Sequence, residues 1–495
     1  MVLLKKIFFY FILLFSFSSF AQISFHRVYT GDDYDFGYDL FQDTSNAYYL
    51  CGSTSSLQMG KSQALLLKVD SLGNSIWSKI YGGSESESFH AMDKVDGYCI
   101  YTGGYSNSNT TGDFDAYLNQ LDFDGNVIWD TVYGGSDWEG IVELKATPDS
   151  GVVVLARTKS YGAGGLDWWI HKIDKHGSLV WEKTLGGDFD DYPKDCEVDD
   201  GKVYVVGSHY VIDSLMEKAV IYTLDLSDGS VLVSDTLENS GNTVANDISI
   251  LPNTIRFVGK QYVALKDSAD MLLGGVDANG SFTPSFIEER IGHESANRFC
   301  PNIDSTSLII NKQAVSSPSI PTYEDGKEDS QLYRFGNFYS FISGVASYSD
   351  LGKDRTENII STNDGGIAYI GHQEKYTNFK SSLFFVKVGP NGEAQSPQSP
   401  IITNIAGESL NTNTLLDIDG VKVYPNPFKN HLKINLKGNE KYAIRLHSLQ
   451  GDLLVHKVKL SGEYNLFLNE DYPSGIYFLN VQSDTGQVTL KLIKE

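Results

Sequence analysis

Four acidic residues recur at a fixed interval of 52 residues, and they are Asp35, Glu87, Glu139 and Asp191. An approximate continuation of the series gives Asn246, Asn297 and Glu357. Repeated carboxylates gathered in one place could bind a hard cation such as calcium, which takes several oxygen ligands at once. The alternative, which we expect to hold, is structural. Each carboxylate would accept hydrogen bonds from backbone N–H groups of its own or the next loop, because a side chain found in nearly every repeat usually serves the repeat.

A second candidate site consists of aromatic and acidic residues that break the repeat, namely Asp137, Trp138, Phe189, Tyr192, Tyr105, Tyr161, Trp168 and Tyr210. Aromatic ring faces stack on the apolar faces of sugars, and carboxylates accept hydrogen bonds from sugar hydroxyls. This mixture therefore suits a carbohydrate ligand. Each side chain could equally fill space in the fold, and Trp168 begins a predicted strand.

Evidence for catalysis is thin. The sequence contains no Gly-x-Ser-x-Gly, His-Glu-x-x-His or phosphate-binding loop, and its ten histidines do not cluster. A glycosidase needs two carboxylates about 5 to 10 Å apart, and an acidic sequence offers many candidates without identifying a pair. We therefore favour a binding protein over an enzyme.

The elements that position these residues follow from an internal repeat. The glycines that close Asp-x-x-Gly turns are Gly73, Gly125, Gly177, Gly229, Gly280, Gly336 and the corresponding Gly392. Within one unit, alternation and turn residues predict four short strands, at 89–94, 98–103, 116–121 and 126–133. A β-propeller blade has four strands and a length close to these 52 residues. We predict an all-β, seven-bladed β-propeller over residues 22–395.

The ends of the array predict how the ring closes. Residues 25–31 align with residues 77–83 at the same offset of 52, so the chain begins with an outermost strand that lacks a blade of its own. The last unit, in contrast, stops after its third strand. We predict that residues 23–31 complete the last blade, which removes the free strand edges of an open array.

The first 21 residues predict export. Lys5 and Lys6 precede an apolar run, and Ala21 ends a stretch suited to cleavage by signal peptidase. No later stretch approaches the roughly 20 apolar residues of a transmembrane helix. We therefore expect a signal peptide at 1–21 and no transmembrane segment.

Charge is distributed unevenly. The formal net charge is −24, the signal peptide holds +2 and residues 420–495 hold +3, so residues 22–419 carry −29. An acidic body argues against nucleic acid and anionic membranes as partners, since both require cationic surface. The four cysteines match no metal or redox spacing, and we expect buried thiols.

The C-terminal region differs in composition and pattern. Residues 396–420 are predicted as a linker, and residues 421–495 show short alternating segments that predict a small immunoglobulin-like β-sandwich. Motifs occur there in a specific order, with the key residues Tyr424, Pro425, Asn426, Pro427, Gly451, Gly475, Tyr477 and Lys491. This region resembles the type A C-terminal sorting domain of the type IX secretion system of Bacteroidota. The resemblance implies an outer-membrane translocon and a sortase as partners, and delivery to the cell surface or the medium.

Taken together, the sequence predicts an exported propeller that acts as a binding or adhesion module, with a glycan or a protein as its ligand. The alternative is a polysaccharide-active hydrolase or lyase that uses the acidic, aromatic loop face. We expect no cofactor other than the candidate calcium.

Overall fold

The computed structural model describes residues 23–494 except 32, 57–60, 109–112, 214, 239–240, 252–253, 264–267, 284–285, 289–292, 302–306, 316–327, 337–340, 349–351, 376–379, 391–400, 405–407, 410–415, 419–420, 425–430, 437–440, 449–452, 469–471, 474 and 483–486. The predicted signal peptide lies outside the described residues. The described part of the chain consists of β-strands and their connections, and it includes no helix that could span a membrane.

Four-stranded antiparallel sheets follow one another along the chain. After β1 (Phe25–Thr30), the first sheet contains β2 (Asp35–Gln42), β3 (Tyr48–Thr54), β4 (Gln63–Val69) and β5 (Ser75–Tyr81). The second contains β6 (Glu87–Val95), β7 (Cys99–Ser106), β8 (Asp115–Leu121) and β9 (Val127–Tyr133). The third contains β10 (Glu139–Ala146), β11 (Val152–Thr158), β12 (Asp167–Ile173) and β13 (Leu179–Leu185).

The fourth sheet contains β14 (Tyr192–Asp199), β15 (Lys202–Val211), β16 (Met216–Asp225) and β17 (Val231–Thr236). The fifth contains β18 (Thr243–Leu251), β19 (Thr254–Val263), β20 (Ser268–Val276) and β21 (Phe286–Glu288). The sixth contains β22 (His293–Pro301), β23 (Ser307–Val315), β24 (Glu328–Gly336) and β25 (Phe341–Tyr348). The seventh begins with β26 (Gly352–Ser361), β27 (Ile367–Lys375) and β28 (Ser381–Val388).

The first strand of each sheet contacts the first strand of the next, and β26 contacts β2. The first strands therefore form a closed ring around a central channel, which is the arrangement of a β-propeller. We call the end of the channel at which these strands begin the mouth. The prediction of an all-β chain built from four-stranded repeats is confirmed.

The N-terminal strand completes the seventh sheet. β1 pairs antiparallel with β28, with Phe25 opposite Lys387 and Tyr29 opposite Leu383. This confirms the predicted closure. Residues assigned to the linker add further pairing, since β29 (Ile401–Asn404) runs parallel to β1 and β30 (Glu408–Ser409) runs parallel to β5. These segments cover strand edges that would otherwise present unpaired backbone groups.

The Asp-x-x-Gly turns at Gly73, Gly125, Gly177 and Gly280 form as their sequence predicts. The prediction of such a turn at Gly336 is wrong, because Gly336 is the last residue of β24, and Gly392 lies outside the described residues. In the first sheet the amide of Gly73 donates to the carbonyl of Asp70 at 2.9 Å, and Gly73 has a φ of 73° that glycine accepts without strain. The indole of Trp77 packs on the equivalent turn of the next sheet, where a side chain on Gly125 would clash with it. The repeated tryptophans therefore hold neighbouring sheets together.

Large side chains fill the space between sheets. Tyr48, Tyr49 and Phe385 are fully buried in one cluster that joins the seventh, first and second sheets. Burying such side chains contributes roughly 1.5–3 kcal/mol each. The four cysteines have free thiols and are buried, so they also fill space in the interior.

The C-terminal region forms two further sheets. One contains β31 (Leu416–Ile418), β32 (Val421–Tyr424), β33 (His431–Leu436) and β36 (Gly462–Phe467). The other contains β34 (Tyr442–Ser448), β35 (Leu453–Leu460), β37 (Gly475–Gln482) and β38 (Gln487–Lys494). Both contribute to one core, in which Ile434 of the first sheet and Leu446 of the second are fully buried.

Candidate functional site

The repeated carboxylates stand at the start of the first strands, as predicted, and they are buried. In three cases the amide four positions earlier donates to the carboxylate, from Gly31 to Asp35 at 2.6 Å, from Gly135 to Glu139 at 2.7 Å and from Gly187 to Asp191 at 2.6 Å. The second strand supplies further donors, such as Thr54 to Asp35 at 2.5 Å and Ser106 to Glu87 at 2.9 Å. Burial raises the pKa of Asp35 and of Asp191.

These bonds tie the loop that enters each sheet to the sheet itself, which is the structural alternative stated above. The described residues contain no group of three or more His, Cys, Asp or Glu side chains placed to hold a metal ion. A calcium site made by Asp35, Glu87, Glu139, Asp191 and Glu357 therefore has no geometric support in the described part of the chain.

The continuation of the series to Asn246, Asn297 and Glu357 is wrong. Every first strand carries a β-bulge, and these three are bulge residues, equivalent to Tyr38 of the first sheet. In strand register, the positions equivalent to Asp35 are Thr243, Glu294 and Asp354. Glu357 lies 2.9 Å from the Arg355 guanidinium and 3.7 Å from Nδ1 of His372.

Several of the predicted aromatic residues do converge, and Arg157 lies among them. The Arg157 guanidinium lies 4.9 Å from the centre of the Trp138 ring. His90 stacks on Tyr38 at 4.2 Å and lies 5.2 Å from Tyr105. The pKa of His90 is lowered to about 3 by burial and by the charge of Arg157, so this imidazole is neutral.

Tyr192 is the third predicted aromatic residue at the mouth. Its ring lies 5.7 Å from Nζ of Lys194. Burial raises the pKa of Tyr192 and of Tyr105, and the nearby charge of Arg157 opposes both shifts. The bulge accounts for the position of Lys194, because an extra residue in the strand turns its side chain toward the mouth beside its neighbours.

The remaining predicted residues lie apart from this group. Trp168 is fully buried and packs between sheets, 4.9 Å from His209 and 5.4 Å from Tyr222, so it is a core residue and not a ligand contact. Tyr161 packs on Trp169 at 4.9 Å. Phe189 and Tyr210 pack on each other at 5.1 Å.

Asp137 takes a local structural role in the loop before β10. Its carboxylate accepts a hydrogen bond from the Trp138 amide at 2.8 Å, and its own amide donates to Ser160 at 2.9 Å. These bonds fix the loop that carries Trp138.

Deeper in the channel, one arginine is surrounded by carboxylates. Arg298 lies 3.2 Å from Glu143, 3.4 Å from Asp195 and 3.3 Å from Asp247. Burial, together with repulsion from Asp195, raises the pKa of Glu143 to about 7, although Arg298 opposes the shift. Burial likewise raises the pKa of Asp195 and of Asp39 to about 7.

The same carboxylates link neighbouring first strands. Backbone amides of the next sheet donate to them, from Met92 to Asp39 at 2.7 Å, from Ile248 to Asp195 at 2.8 Å and from Phe299 to Asp247 at 2.6 Å. This layer therefore closes and rigidifies the ring below the mouth.

The sequence analysis missed the cationic and histidine residues of the mouth and the Arg298 layer. A signal was present, since Tyr38, His90 and Lys194 fall on one series with a period of 52 or twice 52. This series is hard to recognise in the sequence because a different type of side chain occupies the position in each unit.

Part of the predicted sorting motif lies in described strands. Tyr424 ends β32, Gly475 begins β37, and Lys491 of β38 pairs with Phe478. The hydroxyl of Tyr477 donates to the carbonyl of Pro473 at 2.5 Å. Pro425, Asn426, Pro427 and Gly451 lie outside the described residues.

Comparison with solved structures returns β-propeller and related proteins at low similarity. Examples are the polysaccharide lyase Uly1 (10% identity, TM-score 0.46, 72% of this chain and 90% of that chain) and the β-propeller domain of the Trilobed protease from Pyrococcus furiosus (11% identity, TM-score 0.45, 74% and 99%). Another is the periplasmic gluconolactonase PpgL of Pseudomonas aeruginosa (10% identity, TM-score 0.43, 66% and 96%). Similarity at this level says nothing about activity. No curated protein matches the sequence.

The C-terminal region, in contrast, matches a family. Residues 422–495 match the model of the secretion system C-terminal sorting domain. Such a tail indicates export to the cell surface or the medium. Residues 422–495 of this chain are therefore a type IX secretion C-terminal sorting domain, which follows a β-rich N-terminal region.

Proposed function

We propose that this protein is an exported binding or adhesion module that takes a saccharide ligand at the mouth of its channel. In this proposal, residues 22–395 form a seven-bladed propeller that carries the site, and residues 396–420 connect it to the sorting domain of residues 421–495. Within this connection β29 and β30 pair with propeller strands, and β31 pairs with β32 of the next domain. That domain adopts an immunoglobulin-like sandwich and engages the type IX translocon and a sortase. The signal peptide of residues 1–21 is removed during export.

One observation carries the binding proposal, namely the group of side chains around Arg157. Trp138 lies against its guanidinium at 4.9 Å, and Tyr105 and Tyr192 lie close enough for its charge to oppose the rise in their pKa that burial causes. Trp138, Tyr105 and Tyr192 are all half-buried, so each is fixed in position yet keeps an accessible part. Rings held in this way stack on sugar faces, and a guanidinium donates to sugar oxygens.

The experiment is a glycan array on the secreted chain, followed by a titration calorimetry measurement with any saccharide that binds. We expect binding that weakens at least tenfold on Trp138→Ala. Tyr161→Ala is the matched control, because Tyr161 is an aromatic residue of the same face that packs on Trp169 outside this group. Absence of binding to every saccharide would overturn the proposal.

A polysaccharide lyase or hydrolase is the second candidate, and His90 favours it. Its buried Nε2 has no hydrogen-bond partner in the described structure, and the ring is neutral because burial lowers its pKa to about 3. A neutral imidazole stacked on Tyr38 can accept a hydrogen bond from a sugar hydroxyl, and it acts as a general base only where substrate binding raises this low pKa. An assay for new reducing ends or unsaturated products tests this alternative. Product formed by the wild type and not by His90→Ala would replace the binding function with an enzymatic one.

A further inference from the structure

Four cations from four sheets lie at nearly one level of the mouth. Arg157 pairs with Gly140 and Lys260 pairs with Val244. Gly140 and Val244 occupy the same register position as Arg355, two residues before the bulge. Lys194 is itself a bulge residue, two positions deeper. The third, fourth, fifth and seventh sheets thus each direct one cation toward the start of the channel.

Three of these cations have no carboxylate partner. Arg157, Lys194 and Lys260 form no ion pair within the described part of the chain, and Nε of Arg157 is buried without a hydrogen-bond partner there. Each instead lies near an aromatic ring, Arg157 at 4.9 Å from Trp138, Lys194 at 5.7 Å from Tyr192 and Lys260 at 5.5 Å from Tyr262.

The acids near the cluster do not neutralise it. Glu357 is paired with Arg355 at 2.9 Å, and Glu217 accepts a hydrogen bond from Ser208 at 2.5 Å while it acts on Lys194 from a distance. Burial, followed by the charges of Arg157, Lys260 and Arg355, lowers the pKa of Lys194 to about 8. The charged cluster is therefore held together at an electrostatic cost, which a bound anion would offset.

The negative charge of the whole region does not prevent this. Exposed charges farther away than the Debye length, about 8 Å at physiological ionic strength, are largely screened. A ligand at the mouth responds mainly to the charges that line it. Among those charges the carboxylates already have partners. Glu139 and Asp191 are buried and accept from the amides of their own loops, and Asp190 accepts from the Tyr192 hydroxyl at 3.2 Å. The charges left for a ligand are the unpaired cations.

We infer that the saccharide of the proposed function is acidic, and that its carboxylate or sulfate group is bound by Arg157 and Lys194. Lys260 and Arg355 flank the same anion, and the sugar ring lies against Trp138 or Tyr192. Arginine suits this role because its planar fork donates two parallel hydrogen bonds to a carboxylate or sulfate. The inference rests on the proposed function and adds the chemical class of the ligand.

The test compares saccharides that differ in charge. The secreted full-length chain is titrated calorimetrically with uronate hexasaccharides, with their neutral methyl esters, with sulfated galactan hexasaccharides and with inorganic sulfate. We expect at least one acidic oligosaccharide to bind tenfold or more tightly than its uncharged counterpart. Arg157→Gln and Lys194→Gln should each weaken that binding at least tenfold, and Lys194→Arg should restore most of it.

The control variant is Lys202→Gln, in the same sheet at the opposite end of the channel from the mouth, and it should bind as the wild type does. Thermal melts confirm that each variant is folded. Equal binding of acidic and neutral saccharides overturns the inference and leaves the proposed function intact. Binding of inorganic sulfate as tightly as any oligosaccharide identifies a free-anion site and also overturns it. Absence of binding to every saccharide, charged or neutral, refutes the proposed function itself.

Discussion

The hydroxyl of Tyr29 donates a hydrogen bond to the carbonyl oxygen of Gly73 at 2.6 Å. This bond joins the N-terminal strand, in the seventh sheet, to the turn of the first sheet. Tyr81 makes the same bond to Gly125 at 2.8 Å, between the first and second sheets. The contact that closes the ring is therefore a copy of a contact within it.

The Tyr29 hydrogen bond tests whether β1 closes the ring, and the equivalent Tyr81 hydrogen bond serves as its control. Tyr29→Phe and Tyr81→Phe should each lower the free energy of unfolding by about 1–3 kcal/mol, because each leaves a buried carbonyl without its donor. Urea denaturation measures both. If Tyr81→Phe destabilises the protein and Tyr29→Phe has no effect, β1 does not close the ring in solution.

The stability contributed by the carboxylates around Arg298 should fall as pH rises from about 4 to 7. The pKa of Asp39, Glu143 and Asp195 is raised by burial to about 7 in the folded state, against ordinary values near 4. The folded state therefore binds more protons than the unfolded chain in this window, so the contribution is present below about pH 4 and is lost by about pH 7. Buried histidines such as His90 and His171, whose pKa burial lowers to about 3, act in the opposite sense below about pH 6.5, so the layer is tested by difference. Between pH 5 and pH 8 the wild type should lose more unfolding free energy than Glu143→Gln, which lacks one of the titrating groups. An equal pH dependence of the two proteins would contradict the assignment.

Arg298→Met should destabilise the protein in a pH-dependent way. At pH 8 it leaves Glu143, Asp195 and Asp247 without their counter-charge, which costs about 3–5 kcal/mol for a buried pair. At pH 5 protonated carboxyl groups tolerate the change better. The control is Lys61→Met, which removes an exposed ion pair with Glu85 at 2.8 Å and should cost at most about 1 kcal/mol at either pH. If Arg298→Met lowers the free energy of unfolding equally at pH 5 and pH 8, Arg298 does not act through the charges of these carboxylates.

The repeated carboxylates should stabilise the fold without a metal ion. Glu139→Gln removes charge-assisted hydrogen bonds from Gly135 and Thr158 and should cost about 1.5–3 kcal/mol. The loss should be the same in calcium and in EDTA. A wild-type melting temperature that rises with calcium, and fails to do so in Glu139→Gln, would instead establish the cation site.

Deletion of residues 420–495 should hold the protein in the periplasm and reduce its surface or extracellular fraction to near zero. The tail is the part of the chain that matches the sorting family. Cell fractionation with antibody against the propeller measures the distribution. Full-length Lys202→Gln serves as the control and should be delivered normally, whereas normal delivery of the deleted chain would refute the assignment.

The repeat made much of the fold predictable. The strand predicted at 89–94 is β6, Glu87–Val95, and the first five predicted turn glycines, from Gly73 to Gly280, have the positive φ that such a turn requires. Local turn chemistry and alternation act within a few residues, so they are visible in sequence. The closing strand was found for the same reason, because residues 25–31 copy residues 77–83.

The register of the later first strands could not be predicted from turn spacing. Insertions in the fifth and sixth units change the distance between turns from 52 to 56 residues, and extra residues in loops do not move a strand by a fixed amount. The series from Asp35 therefore reached the bulge at Glu357. Arg298 was hidden for another reason, since its partners at Glu143 and Asp195 belong to other sheets and only the closed ring brings them together.

The pairing of Phe25 with Lys387 joins residues 362 positions apart. Bringing two such distant points of a chain together costs on the order of 5 kcal/mol in conformational entropy. Contacts of this separation form late in folding, after the local hairpins. We therefore expect the docking of the first strand to be a late step of folding, and until it occurs the edge of β28 is open to pairing with other chains.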